Sequence, residues 1–218
     1  MPRKPQFLTA DFPYHVTARA NNKEWFYIPT PAVWSIMSGI LEIVSNEYSA
    51  RVLSFVLMAN HFHMLIQTPL ANLDGIMNYF MREVSRAIAR QAGRINHVFG
   101  GRNKPTLIRD SRYFAHVYKY VYRNPVRPRI AERPELYHYS TLPILIKGGR
   151  APFPIHDLDG PLSELVPRPW NERLEWLNNP LPKEQDDLIR KALRRVDFQF
   201  SKSHDYQRLV AALMTKPS

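Results

Sequence analysis

The 218-residue chain has no cysteine. Disulfides and thiolate-held metals are therefore excluded, and any metal site must use nitrogen and oxygen donors. No stretch reaches the ~20 uninterrupted apolar residues that a membrane-spanning helix needs. The N-terminal "MPRKPQFLTADFPYHVTARA" carries basic residues with no apolar run behind them, so no secretory signal is expected. Internal repeats and low-complexity tracts are absent. Acid is scarce where base is dense. Thirteen Lys or Arg fall between Arg82 and Arg133 against three acids, Glu83, Asp110 and Glu132, so this segment carries nearly all of the formal net charge of +11. A solvated basic face would give the same count. Clustering of this kind is nevertheless the electrostatic footprint of a polyanion, and nucleic acid fits it better than a membrane surface.

What is present suffices for a packed core: 44% of residues are hydrophobic and 12% aromatic. "YHVTARA" (14–20) alternates as a strand does. Thr30 is the expected cap of a helix with Pro31 in its first turn, and Val33, Ile36, Ile40, Leu41 and Val44 fall on one face. "ARVLSFVLM" and "HFHMLIQT" read as two strands of a hairpin joined at Ala59-Asn60. Residues 72–92 return to helical spacing, with Ile76, Phe80, Val84 and Ile88 on the buried face and Arg82, Arg86, Arg90 and Arg94 stepping by four along another. A short strand is expected at Thr106–Arg109. A helix capped by Ser111 follows and stops before Pro125. The order β-α-β-β-α-β followed by a helix predicts an α+β, ferredoxin-like or RRM-like fold, an antiparallel sheet with helices on one face. Residues 1–142 form this unit. Residues 143–218 read as a Pro/Gly-rich linker and a helical C-terminal extension, with helices at "NERLEWLNN", "KEQDDLIRKALRRV" and "SHDYQRLVAALM", the last capped by Ser203.

Chemistry concentrates in two segments. In "VLMANHFHMLIQ", His61 and His63 sit at i and i+2 on a strand and project together, while Phe62 and Met64 enter the core. Two neutral imidazoles on one face can hold a divalent cation, but paired exposed histidines are also ordinary strand residues, and two ligands are too few. "SRYFAHVYKYVYRNPVRP" supplies the second segment. Its four tyrosines in ten residues are more than a core needs, although two or three of them are expected to pack on the sheet. Tyr120 and Asn124 share a helix face, so an amide oxygen and a phenol can approach the histidines together. A phenol with a pKa near ~10 is a poor nucleophile unless the phosphate it attacks is made more electrophilic, which a cation does. The product is a covalent phosphoenzyme.

These residues resemble the single-tyrosine transposases with a His-hydrophobic-His motif, and in particular the REP-associated tyrosine transposases. The likeness runs through "PYHVTARANNKEWFY", "NHFHMLIQTP", "HVFGGRNKPTLI" and "YKYVYRNPVRP", in order, over about residues 12–142, with "DLIRKALRRVDFQF" similar to the C-terminal element of longer members. The resemblance implies a bacterial, cytoplasmic enzyme that binds single-stranded DNA and cuts near hairpin-forming repeats through a 5′-phosphotyrosine. It further implies action as a monomer or homodimer, with no membrane partner. It makes His61, His63 and Asn124 ligands of Mg²⁺ or Mn²⁺ and Tyr120 the nucleophile. Arg82, Arg86, Arg90, Arg94, Arg102, Lys104 and Arg127 become candidate phosphate contacts, and Trp25 and Phe99 candidate stacking platforms. The chain departs from the pattern at Pro128-Arg129, at Tyr139 where a tryptophan is usual, and at Asn103, without losing a catalytic position. Two rivals remain open: a non-catalytic nucleic-acid-binding module of RRM-like fold, and a metal hydrolase built on the two histidines. His15, His97 and His116 show no ligand spacing.

Overall fold

The computed structural model describes residues 7–95, 97–148, 150–156 and 159–199. Strands β1 (Tyr14–Arg19), β2 (Arg51–Leu57), β3 (His61–Gln67) and β4 (Lys104–Leu107) form one antiparallel sheet in the order β2-β3-β1-β4. Helix α1 (Thr30–Glu47) connects β1 to β2, and α2 (Leu73–Ala92) connects β3 to β4. This is the expected ferredoxin-like arrangement. The helix expected around Ser203 lies outside the described residues.

Strand β3 is central and alternates as its sequence requires. Phe62, Met64 and Ile66 enter a core closed by α1 and α2 through Val33, Leu41, Ile76 and Phe80. The Phe62 ring lies 5.5 Å from that of Phe80 and 5.9 Å from that of Phe55. Every expected inward residue of the two helices is buried except Ile36, which is half-buried.

The two helices of the β-α-β-β-α-β unit share one face of the sheet, and the other face is covered too. Val56 and Leu65 pack there against α3 (Ser111–Arg123), with α5 (Trp170–Asn178) and α6 (Lys183–Ala192) contributing Leu177, Leu188 and Ile189 to the same cluster. A shorter helix, α4 (Thr141–Lys147), is held to β2 where the Thr141 hydroxyl accepts from the Phe55 amide at 3.0 Å. The helices expected at "NERLEWLNN" and "KEQDDLIRKALRRV" are α5 and α6.

Three local expectations shift. Thr30 is already helical, because the Ala32 and Val33 amides close the first turn on the Pro29 carbonyl. Asp110, not Ser111, caps α3: its carboxylate accepts from the amides of Arg112 and Tyr113 at 2.9 and 3.2 Å, while the Ser111 hydroxyl turns to Glu164. Strand β4 begins at Lys104, earlier than the expected Thr106, because Thr17 of β1 extends far enough to pair with it.

Phe62 fills the centre of the α1/α2 core, so Phe62→Ala is expected to cost about 3–5 kcal/mol in denaturant unfolding. The solvent-facing Trp25→Ala is expected to stay within about 0.5 kcal/mol of the wild type.

Candidate active site

The register of the central strands assembles the site. In the β1–β3 ladder Arg19 faces His61, Thr17 faces His63 and His15 faces Leu65. Cross-strand partners share a face, so His15, Thr17 and Arg19 point the same way as the two motif histidines. Helix α3 lies over that face. It brings the Tyr120 ring edge-on to His63, with centroids 5.5 Å apart and planes at 89°. His61 and His63 stand 5.0 Å apart at 82°. Tyr118 and Tyr122 turn into the core, where the Tyr122 hydroxyl meets the Thr141 hydroxyl at 2.9 Å. Of the four tyrosines, Tyr120 is the one whose ring packs on the histidines.

The hydrogen bonds around His61 define its tautomer. The Asn60 amide nitrogen donates to the Lys23 carbonyl at 2.7 Å, which turns the Asn60 amide oxygen toward His61. That oxygen lies 2.7 Å from His61 Nδ1. An amide oxygen only accepts, so Nδ1 carries the proton and Nε2 keeps a bare lone pair. Asn124 is oriented in the same way. Its amide nitrogen donates to the Tyr120 carbonyl at 2.9 Å, so its amide oxygen is the atom left for another partner. Among the described residues no hydrogen bond joins Asn124 to either histidine.

The imidazoles are neutral at pH 7. Burial pulls His15 down to about 3. Burial and then the Arg19 charge pull His61 down to about 4. Burial lowers His63 well below the ordinary range, and the neighbouring histidines and Arg19 add to it. Neutral rings are the form that ligates metal. Two imidazole nitrogens and an amide oxygen are a donor set that fits a divalent cation. Among the described residues, no group of three His, Cys, Asp or Glu side chains can hold a metal.

Burial raises the pKa of the Tyr120 phenol, and the charges of Arg127 and Arg190 pull it back. Arg127 pairs with Asp186 of α6 at 2.6 Å. Both α6 residues come from the C-terminal extension, for which the sequence suggests no role. Linear spacing also misses His15 and Arg19. Both lie on the period-two alternation of β1, and only the cross-strand register brings them to the site.

The expected basic residues separate into groups. Arg127 and Lys104 lie on the Tyr120 side; Lys104 faces Thr17 across the β1–β4 ladder and is exposed. Arg102 is exposed in the loop before β4. Arg82, Arg86 and Arg90 sit on α2, which covers the opposite face of the sheet. Arg82 and Arg86 share Glu83 at 2.7 and 3.1 Å. Arg94, just beyond α2, stacks over the Tyr27 ring at 3.7 Å. Phe99 is buried against Phe26 and Phe62, whereas Trp25 is 77% exposed. A concave region of about 680 Å³ between Arg51, Arg109 and Asp159 contains none of the site residues.

Depressed histidine pKa values carry a stability consequence. Unfolded imidazoles titrate near ~6.5, so below that pH the unfolded chain binds protons that the folded chain refuses. The stability is fully present above ~6.5 and is lost as pH falls through the window down to about 3 for His15 and about 4 for His61. Thermal unfolding is expected to show Tm falling with acid across this window. In His15→Phe the fall is expected to be shallower.

No protein-family model matches the chain, and no curated protein matches it. Among solved structures it is similar to a REP-associated tyrosine transposase bound to a REP hairpin, at 18% identity and a TM-score of 0.55, over 76% of this chain and 95% of that one. The chain therefore has the fold of a REP-associated tyrosine transposase.

Proposed function

We propose that this chain is a tyrosine transposase that cuts and rejoins single-stranded DNA beside a hairpin. The observation that carries the reading is the placement of the Tyr120 ring on His63 at 5.5 Å, on the one face of β3 where His61 and His63 both project. The shared fold with a transposase that is bound to a REP hairpin supports it. In this reading His61 and His63 through Nε2, and Asn124 through its amide oxygen, hold Mg²⁺ or Mn²⁺. When bound, the cation neutralises charge that builds on the scissile phosphate.

The chain's own groups do the rest. Tyr120 attacks phosphorus, an O–P bond forms to the phenol, and the bond to the 3′-oxygen breaks. The phenolic proton ends on that oxygen, so neither water nor ATP is consumed. A second 3′-hydroxyl reverses the step and joins new ends. The Arg127 and Arg190 charges favour the anion of the phenol. Arg19, Lys104, Arg102 and Arg127 line the approach for the sugar-phosphate backbone. Trp25 stands beside the turn before His61, where the Phe26 amide bonds the Ala59 carbonyl at 3.0 Å, and offers a face to an unpaired base. Arg82, Arg86 and Arg90 can reach only DNA that wraps around the sheet edge.

The RRM-like reading loses its surface. Such modules stack bases on aromatics of the exposed central strands. Here the outward residues of β1 and β3 are His15, Thr17, Arg19, His61, His63 and Leu65, with no Phe, Tyr or Trp among them, and α3 packs over His63 and Leu65.

Incubation with Mn²⁺ and labelled single-stranded hairpin DNA is expected to give a covalent adduct on a denaturing gel. Tyr120→Phe and His61→Ala should each lose it; an adduct that persists in Tyr120→Phe refutes the nucleophile. Trp25→Ala is expected to weaken DNA retardation by about 1–3 kcal/mol without unfolding the chain. Retardation should also fall steeply with salt, with a slope reduced when Lys104 or Arg127 is neutralised.

A further inference from the structure

His15 Nε2 lies 2.9 Å from His63 Nδ1, and the two rings stack with centroids 5.1 Å apart and planes 24° apart. His15 is 1% exposed, and its own Nδ1 is buried without a partner among the described residues. Packing does not explain a histidine here. A phenylalanine would stack on His63 and meet Tyr120 edge-on equally well, without stranding a polar nitrogen in the core. The one interaction that requires an imidazole at this position is the hydrogen bond to His63.

That bond bears on what His63 can do. Two neutral rings facing each other through Nε2 and Nδ1 share one proton between those atoms. With the proton on His15, His63 must carry its own on Nε2 and has no lone pair there for a cation. With the proton on His63 Nδ1, donated to His15, Nε2 is free. This is the state in which Asn60 holds His61. His15 also spends Nε2 on His63, so it is not itself a third ligand.

We infer that His15 is a positioning residue: it accepts the Nδ1 proton of His63 and so presents His63 Nε2 to the divalent cation, as Asn60 does for His61. The inference rests on the metal site proposed above. Groups that orient ligating histidines typically change metal affinity about 10–100-fold.

The test measures cation binding without DNA. Mn²⁺ titration followed by electron paramagnetic resonance would compare the wild type, His15→Phe and His15→Gln. His15→Phe keeps the stack and loses the acceptor, and is expected to bind Mn²⁺ about 10–100-fold more weakly. His15→Gln restores an acceptor oxygen and is expected to recover part of the loss. In the wild type with Mg²⁺, long-range ¹H–¹⁵N correlation should show the His63 proton on Nδ1. This measurement decides the matter even if a variant fails to fold. Unchanged Mn²⁺ affinity in His15→Phe, or a His63 proton on Nε2 with Mg²⁺ bound, overturns the role given to His15. A wild type that binds no Mn²⁺ overturns the metal site itself.

Discussion

Strand β3 is buried on both faces, and the candidate site depends on that constraint. One face must be apolar to close the core with α1 and α2, and Phe62, Met64 and Ile66 meet that need. The other face lies under α3, yet it carries His61 and His63. Taking imidazoles out of water disfavours their charged form, so the fold keeps them neutral and able to donate lone pairs. Their remaining polar atoms then need partners, which Asn60 and His15 provide. A strand with one open face would give exposed histidines that protonate near their ordinary pKa and rotate freely.

The covering helix has two tasks on different faces. Tyr118 and Tyr122 pack into the cluster that seats α3, while Tyr120 stands over the histidines. Seating comes from both ends. Asp110 holds the first turn by two amide bonds, and Arg123 donates to the Leu177 and Asn178 carbonyls at the end of α5. The C-terminal extension thus acts twice on the site. It wedges α3 in place, and through Asp186 and Arg190 of α6 it surrounds the phenol with charge.

Much of this was legible in the sequence because it rests on period. Alternation in "HFHMLIQT" places the two histidines opposite Phe62 and Met64, and the four-residue step pairs Tyr120 with Asn124. The element order yields the sheet. Other features depend on which strands become neighbours. His15 meets His63 through the β1–β3 register, 48 residues apart in sequence, so no ligand spacing shows it. The Arg190 charge reaches Tyr120 only because α6 folds back on α3. The α2 arginines have regular helical spacing that says nothing about which face of the sheet the helix will cover. Asp110 and Ser111 are both good caps by type, and the choice between them follows from Glu164 drawing the serine hydroxyl away.

In the proposed function the phenol over His63, among four tyrosines on one helix, is the group that takes the DNA. Trapping the protein on a hairpin substrate, digesting it and mapping the DNA-bearing peptide by mass spectrometry tests this most directly. A nucleotide remnant joined through its 5′-phosphate to Tyr120 is expected. A remnant on Tyr113, Tyr118 or Tyr122, or linkage through a 3′-phosphate, would contradict it.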